Sequence, residues 1–154
     1  MKNGGMNIRH CKLRGEWAEL RFMARAAEHG LCVTKPWGDN AQYDFAVEFA
    51  GGFARIQVKS TACQVGYQGF TCCVRRSNGI YVGDPFDFVV ALVIPEDVWY
   101  VIPAVKILGK CNVTLYPGRE GTKYAPYSEA WDLLKGGNRI PQIHAYADVA
   151  GMAW

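Results

Sequence analysis

No apolar run in this chain reaches the roughly 20 residues that a membrane-spanning helix needs. No stretch has the charged start and apolar core of a secretory signal, so the expectation is a cytoplasmic protein without membrane contact. Cysteine is present at six positions, Cys11, Cys32, Cys63, Cys72, Cys73 and Cys111, but in no CxxC pair and at no zinc-like spacing from a histidine. That pattern argues against a zinc site and predicts free thiols, most of them buried, in a reducing cytosol. A strong excess of either charge is also missing. Lys and Arg number 17 against 14 Asp and Glu, and the net +3 identifies no nucleic-acid partner by itself. No repeat, low-complexity tract or linker divides the chain, so a single domain over residues 1–154 is expected, long enough to bury one core.

What is present reads as an α/β pattern. Apolar residues at 13, 17, 20, 23, 24 and 27 recur at nearly helical spacing, and Gly30 is a natural stop. A strand at 31–34 leads into the turn-rich "KPWGDNAQ", and two further strands, 43–49 and 53–60, meet across "AGG" as a hairpin. Strands follow at 68–75, at 86–94 as a buried apolar run, and at 98–103 as its hairpin partner, for a sheet of five or six strands. Beyond it the pattern predicts a short helix at 103–109, a strand at 112–116, and a helix from Ser128 ended by Gly136 and Gly137; residues 138–154 carry no readable pattern. Trp99, Tyr100 and Trp131 read as core, and His10, His29 and His144 as surface or capping residues.

The hairpin "YDFAVEFAGGFARIQVKST" holds polar residues that a plain hairpin does not require. With side chains alternating at period two, Gln57 and Lys59 share one face of their strand while Ile56 and Val58 take the other. Folding about Gly51 brings Asp44 opposite residues 57–59, within about 5–8 Å of its cross-strand neighbours. Alone, the trio would also suit a surface ion pair between Asp44 and Lys59, of little energetic weight. The apolar flanks place it instead beside a buried sheet, where unpaired charge is costly and commonly functional. Glu16 and Glu19 lie three residues apart on the first helix, on nearly one face.

A helix bearing glutamate, "GEWAE" at 15–19, then "YD" at 43–44, then "QVK" at 57–59, resembles the PD-(D/E)XK nuclease superfamily. The chain is most similar to the branch with a Q-x-K motif, which includes group I intron homing endonucleases and relatives of Holliday-junction resolvases. "WYVIP" looks like a later family strand, and the likeness covers most of residues 13–103. It implies a restriction-endonuclease-like core, a mixed β-sheet flanked by helices, and hydrolysis of DNA phosphodiesters with Mg²⁺ or Mn²⁺.

Carried onto this sequence, the resemblance makes Glu19, Asp44, Gln57 and Lys59 the catalytic set. Asp44, the Gln57 amide oxygen, the Val58 carbonyl and Glu19 become the metal-binding oxygens, a hard donor set suited to Mg²⁺. Glu19 is preferred to Glu16 because Gly15-x-x-x-Glu19 matches the pattern that similar resolvase-type enzymes place over their sites. Lys59 would steady the nucleophile or the negative charge building on phosphorus. Two positions depart from the family pattern: Tyr43 stands where proline is usual, and Gln57 replaces an acid, which should weaken a second cation. Lys12, Arg14, Lys35, Ser60, Thr61, Arg75 and Arg76 are the expected contacts to double-stranded DNA, with at most one of Arg75 and Arg76 on a given phosphate track. Cutting both strands implies a homo-oligomer, dimer or tetramer. The alternative is a DNA-binding or scaffolding module that keeps the fold and does not cleave.

Overall fold

Eighteen residues from Cys11 to Glu28 form the one α-helix among the described residues, α1, and its end shows how local chemistry sets a boundary. Gly30 takes φ 72°, a conformation that favours glycine, and donates its N–H to the Ala27 carbonyl at 2.9 Å. Leu31 N–H reaches back to the Ala26 carbonyl, also at 2.9 Å, completing a Schellman stop. The computed structural model describes residues 8–136, so Gly137, His144 and the stretch 138–154 lie outside the described residues.

The buried face of α1 is not the stripe at 13, 17, 20, 23, 24 and 27. Ala18, Phe22 and Ala26 are the buried positions, while Leu13, Leu20 and Met23 face outward. Four-residue spacing puts these three in line, and the two small alanines let the helix come close enough to the sheet for Phe22 to insert. The Phe22 ring lies 5.3 Å from that of Phe45, 6.3 Å from Trp99 and 6.1 Å from Trp131.

The strands are β1 (Cys32–Thr34), β2 (Phe45–Phe49), β3 (Gly52–Thr61), β4 (Gln64–Val65), β5 (Gly69–Cys73), β6 (Phe88–Val93), β7 (Val98–Pro103) and β8 (Asn112–Leu115). Five form a mixed sheet in the order β1-β2-β3-β6-β7, with β3 and β6 parallel and the other neighbours antiparallel. The strand expected at 68–75 does not join it; as β5 it lies between β4 and β8, the strand expected at 112–116, in a separate three-stranded sheet. The β2–β3 hairpin turns at Ala50 and Gly51, Gly51 at φ 102°, which sets Phe45 opposite Ile56.

Strand β6 is apolar throughout because both of its faces are covered. Val90 and Leu92 enter the core beneath α1, and Val89, Ala91 and Val93 enter a second core beneath the smaller sheet. Both cores use the expected aromatics: Trp99 and Trp131 in the first, Tyr100 in the second. His29 follows α1 directly and stacks on Trp131 at 4.8 Å.

Neither late helix forms. Residues 103–109 hold one 3₁₀ turn, Ala104–Lys106, and in place of the helix from Ser128 stand two 3₁₀ segments, Ala125–Tyr127 just before it and Trp131–Lys135 after it. The break is at Glu129, whose φ of 52° takes the chain out of helix. Its carboxylate accepts from Trp99 N–H at 2.8 Å and from Trp131 Nε1–H at 2.7 Å, and its own N–H donates to the Trp99 carbonyl at 2.7 Å. Tying down two buried tryptophans outweighs local helix propensity. Glu129→Ala is expected to cost about 2–4 kcal/mol in denaturant unfolding, and Glu129→Gln, which keeps an acceptor, clearly less.

The cysteines also differ from expectation. All six are free, but only Cys72 is buried; Cys11, Cys32, Cys63, Cys73 and Cys111 are exposed. Cys11 opens α1 and the other four lie on short strands or in loops, so those thiols stand outside the two cores.

Candidate active site

The site is built where two paired strands part. β2 begins at Phe45, paired with Ile56, whereas β3 continues along β6 to Thr61. On that edge of β3 the backbone past Ile56 has no paired strand among the described residues, and Asp44 fills the first gap. Its N–H donates to the Ile56 carbonyl at 2.8 Å, and its Oδ2 accepts from Val58 N–H at 2.7 Å. Gln57 Nε2 donates to the same oxygen at 2.7 Å. With its amide nitrogen committed to Asp44, Gln57 has its Oε1 left as an oxygen donor. The N–H and C=O of one strand residue point the same way, so the Val58 carbonyl projects along this open edge too.

Asp44 is the electrostatic centre. Burial is the main influence and pushes its carboxyl up to about 6; the Val58 N–H opposes that rise. The Glu19 charge raises it further, and Lys59 and Lys35 lower it. Glu19 is therefore the helix carboxylate that Asp44 feels. Glu19 Oε2 lies 2.8 Å from Lys35 Nζ, which also sits 5.0 Å above the Phe45 ring. The hydrogen bond to Glu19 raises the Lys35 ammonium above its ordinary value, against the lowering effect of burial. Arg21 and Arg25 do not serve the site; both reach Asp97, and Arg25 also pairs with Glu28. Gly15 is exposed one turn before Glu19, with nothing within 4 Å of where a Cβ would stand.

Lys59 is on the expected face of β3 but makes neither hydrogen bond nor ion pair with Asp44. Its Nζ donates to the Arg75 carbonyl at 3.2 Å and to Tyr81 Oη at 3.5 Å, and lies 5.5 Å from the centre of the Tyr81 ring. Its charge still reaches both Asp44 and buried Cys72, whose thiol burial pushes up to about 12.

Among the expected DNA contacts, Thr61 is a correction. It is buried, and its hydroxyl donates to the Thr71 carbonyl at 2.5 Å and accepts from Cys63 N–H at 3.1 Å, because this face of β3 meets β5. Ser60 alternates to the opposite face from Lys59 and is partly exposed. Arg75 and Arg76 follow the end of β5 in a turn closed by Arg76 and Gly79, so the strand alternation expected of them does not apply. Lys12, Arg14, Arg75 and Arg76 form no ion pair among the described residues. Arg55 does: it shares the face of Gln57 and binds both Asp84 and Asp87 at the rim of an open cleft of about 600 Å³ that also includes Tyr43.

No cluster of three His, Cys, Asp or Glu side chains suited to a metal occurs among the described residues. The donor set at Asp44 is of another kind: one carboxylate, one amide oxygen, one backbone carbonyl and a neighbouring glutamate, all hard oxygens. A partly buried carboxylate beside a second negative charge, with no direct cation partner among the described residues, fits a hard divalent ion. Tyr81 is the residue that sequence reasoning missed, since nothing in "GIYVGD" marks it.

A family model described as PD-(D/E)XK endonuclease matches residues 9–134, and this chain belongs to that family. Among solved structures it is similar to that of a bacterial homing endonuclease, I-Ssp6803I, with 28% sequence identity and a TM-score of 0.69, over 82% of this chain and 92% of that one. No curated protein matches the chain.

Proposed function

We propose that this protein is a metal-dependent endonuclease of double-stranded DNA, acting through Glu19, Asp44, Gln57 and Lys59. The observation that carries the reading is the Asp44 carboxylate, partly buried at an open strand edge, held by Gln57 and Val58, its pKa raised by burial and further by a neighbouring glutamate. Asp44, Gln57 Oε1, the Val58 carbonyl and Glu19 would hold Mg²⁺ or Mn²⁺. Bound there, the ion would polarise the scissile phosphate and make water a better nucleophile. Asp44 fixes the position of that charge. Gln57 orients Asp44 through its amide nitrogen and adds no charge of its own. Lys59 places a cation on the same strand face, where negative charge builds on the phosphate oxygens. Lys12, Arg14, Arg75 and Arg76 supply unpaired cations for the backbone on either side, and Lys35 joins them once Glu19 turns to the ion. One chain offers one such site for one strand, so a dimer or tetramer would supply the second cut.

Gln57 is the observation that favours the other reading, a DNA-binding module that does not cleave. The experiment that separates them is a cleavage screen over plasmid, linear, nicked, branched and flapped DNA with Mg²⁺ or Mn²⁺, cut positions mapped. Absence of cutting with either ion sinks the nuclease reading.

Gln57→Glu gives a prediction that needs no cleavage. The new carboxylate faces Asp44 Oδ2 where an N–H now donates at 2.7 Å. The metal-free protein should lose about 1–3 kcal/mol of stability at pH 8. Mg²⁺ should raise its melting temperature more than it raises that of the wild type. Equal Mg²⁺-induced shifts in the two proteins would contradict a metal seated between residues 44 and 57.

A further inference from the structure

We propose that Tyr81 is the positioning residue of Lys59, an inference that rests on the nuclease reading for its catalytic meaning but not for its geometry. A lysine ammonium sits on a flexible four-carbon stem and has three N–H donors to satisfy. On β3, Lys59 finds two acceptors, the Arg75 carbonyl at 3.2 Å and Tyr81 Oη at 3.5 Å, and the Tyr81 ring with its centre 5.5 Å away. The ammonium lies off the hydroxyl end of the ring, so the phenol oxygen is its nearer partner and the ring a more distant one.

Tyr81 is itself immobilised. It is buried, its ring meets Phe86 edge-on at 4.8 Å and 81°, and its carbonyl accepts the Gly109 N–H at 3.2 Å. The ammonium is therefore docked on a rigid element of the second core.

The chemistry of this dock matters more than its existence. A carboxylate would hold Lys59 more tightly but would neutralise it. A carbonyl and a phenol are both neutral, so they fix the ammonium and leave its full charge directed at the site. They also keep Lys59 from closing an ion pair with Asp44, which would occupy the carboxylate that the metal needs. Two of the three N–H groups are engaged and one stays available to a phosphate oxygen. The turn that supplies the Arg75 carbonyl also carries the Arg75 and Arg76 side chains, which joins the dock to the proposed DNA-binding surface.

The test compares wild type, Tyr81→Phe and Tyr81→Leu in two measurements. The first uses protein alone: the ¹³Cε–¹Hε NMR signals of Lys59, assigned by their loss in Lys59→Arg. A docked ammonium gives signals displaced by the ring current. Tyr81→Phe, which keeps the ring but loses the Oη acceptor, should lose part of the displacement, and Tyr81→Leu should bring the signals to those of a free lysine. The second is cutting of supercoiled plasmid with Mn²⁺, alongside DNA affinity measured with Ca²⁺. Tyr81→Leu should lower kcat about 10- to 100-fold with KM and DNA affinity unchanged, and Tyr81→Phe about 2- to 5-fold.

Where Tyr81→Leu does not fold, Tyr81→Phe carries the test alone, through a partial signal shift and its smaller rate loss. Lys59 signals unchanged in every folded variant overturn the proposal. So does a rate loss that follows loss of DNA affinity and melting temperature, as a merely structural tyrosine would give. A wild type that cuts nothing overturns the nuclease reading instead, while the NMR measurement still decides whether Tyr81 holds Lys59.

Discussion

Asp44→Asn is expected to yield a protein that is more stable than the wild type at pH 8 without metal and that no longer cuts DNA. Burial lifts the folded-state Asp44 pKa from 3.8 to about 6. Below pH 4 the carboxyl is protonated in both folded and unfolded chains and favours neither. Between about pH 4 and 6 the unfolded chain releases the proton while the folded protein keeps it. The folded state then binds more protons, and stability falls as pH rises. Above pH 6 the charged carboxylate weakens the fold by up to about 3 kcal/mol, since every tenfold gain in proton affinity on folding corresponds to about 1.4 kcal/mol. Asparagine keeps an oxygen for Val58 N–H and Gln57 Nε2 and carries no charge, so a gain of about 1–3 kcal/mol is expected. Saturating Mg²⁺ should reverse the order by stabilising only the wild type. Urea unfolding of both proteins between pH 4 and 8, in EDTA and in Mg²⁺, checks each step. A wild type more stable than Asp44→Asn in EDTA at pH 8 would show that the carboxylate is already satisfied. Cutting should fall at least about 10³-fold, because the position of the ion is lost.

Lys59→Met should spare the fold and remove the chemistry. Methionine follows the path of the lysine stem and lacks only the ammonium, so DNA affinity should stay within about threefold while the cutting rate drops about 10²- to 10³-fold, as for removal of one oriented transition-state donor. A second effect follows from the Lys59 charge, which lowers the Asp44 pKa. Without it, the Asp44 titration seen in the carboxyl ¹³C spectrum should move to higher pH. Unchanged cutting by Lys59→Met would remove Lys59 from the mechanism. An unmoved Asp44 titration would mean that the two groups are electrostatically separate.

Much of the site was legible because its core is local. A two-residue turn and the period of two decide which residues of a hairpin face each other, so Asp44 opposite Gln57 follows from thirteen positions of chain. Gly30 was legible as a stop because the φ it needs favours glycine. The buried face of α1 was not legible. Apolar and small residues occur around much of its circumference, and contact with Phe45, Trp99 and Trp131 selected Phe22 rather than Leu20. Nor was the break at Glu129, where hydrogen bonds to two distant tryptophans override an otherwise helical segment.

By itself, the sequence determined the periodic elements, the Asp44–Gln57–Val58 centre and the family resemblance, all of which depend on residue spacing along the chain. Only the tertiary structure decided which charges act on that centre. Glu19 reaches Asp44's surroundings from a helix, Lys35 pairs with Glu19 across 16 residues, and Lys59 docks on Arg75 and Tyr81, 16 and 22 residues away. It also sent the Thr61 hydroxyl inward to the carbonyl of Thr71. The physical reason is range: backbone periodicity acts over a few residues, whereas burial and charge act through space between segments that only packing brings together.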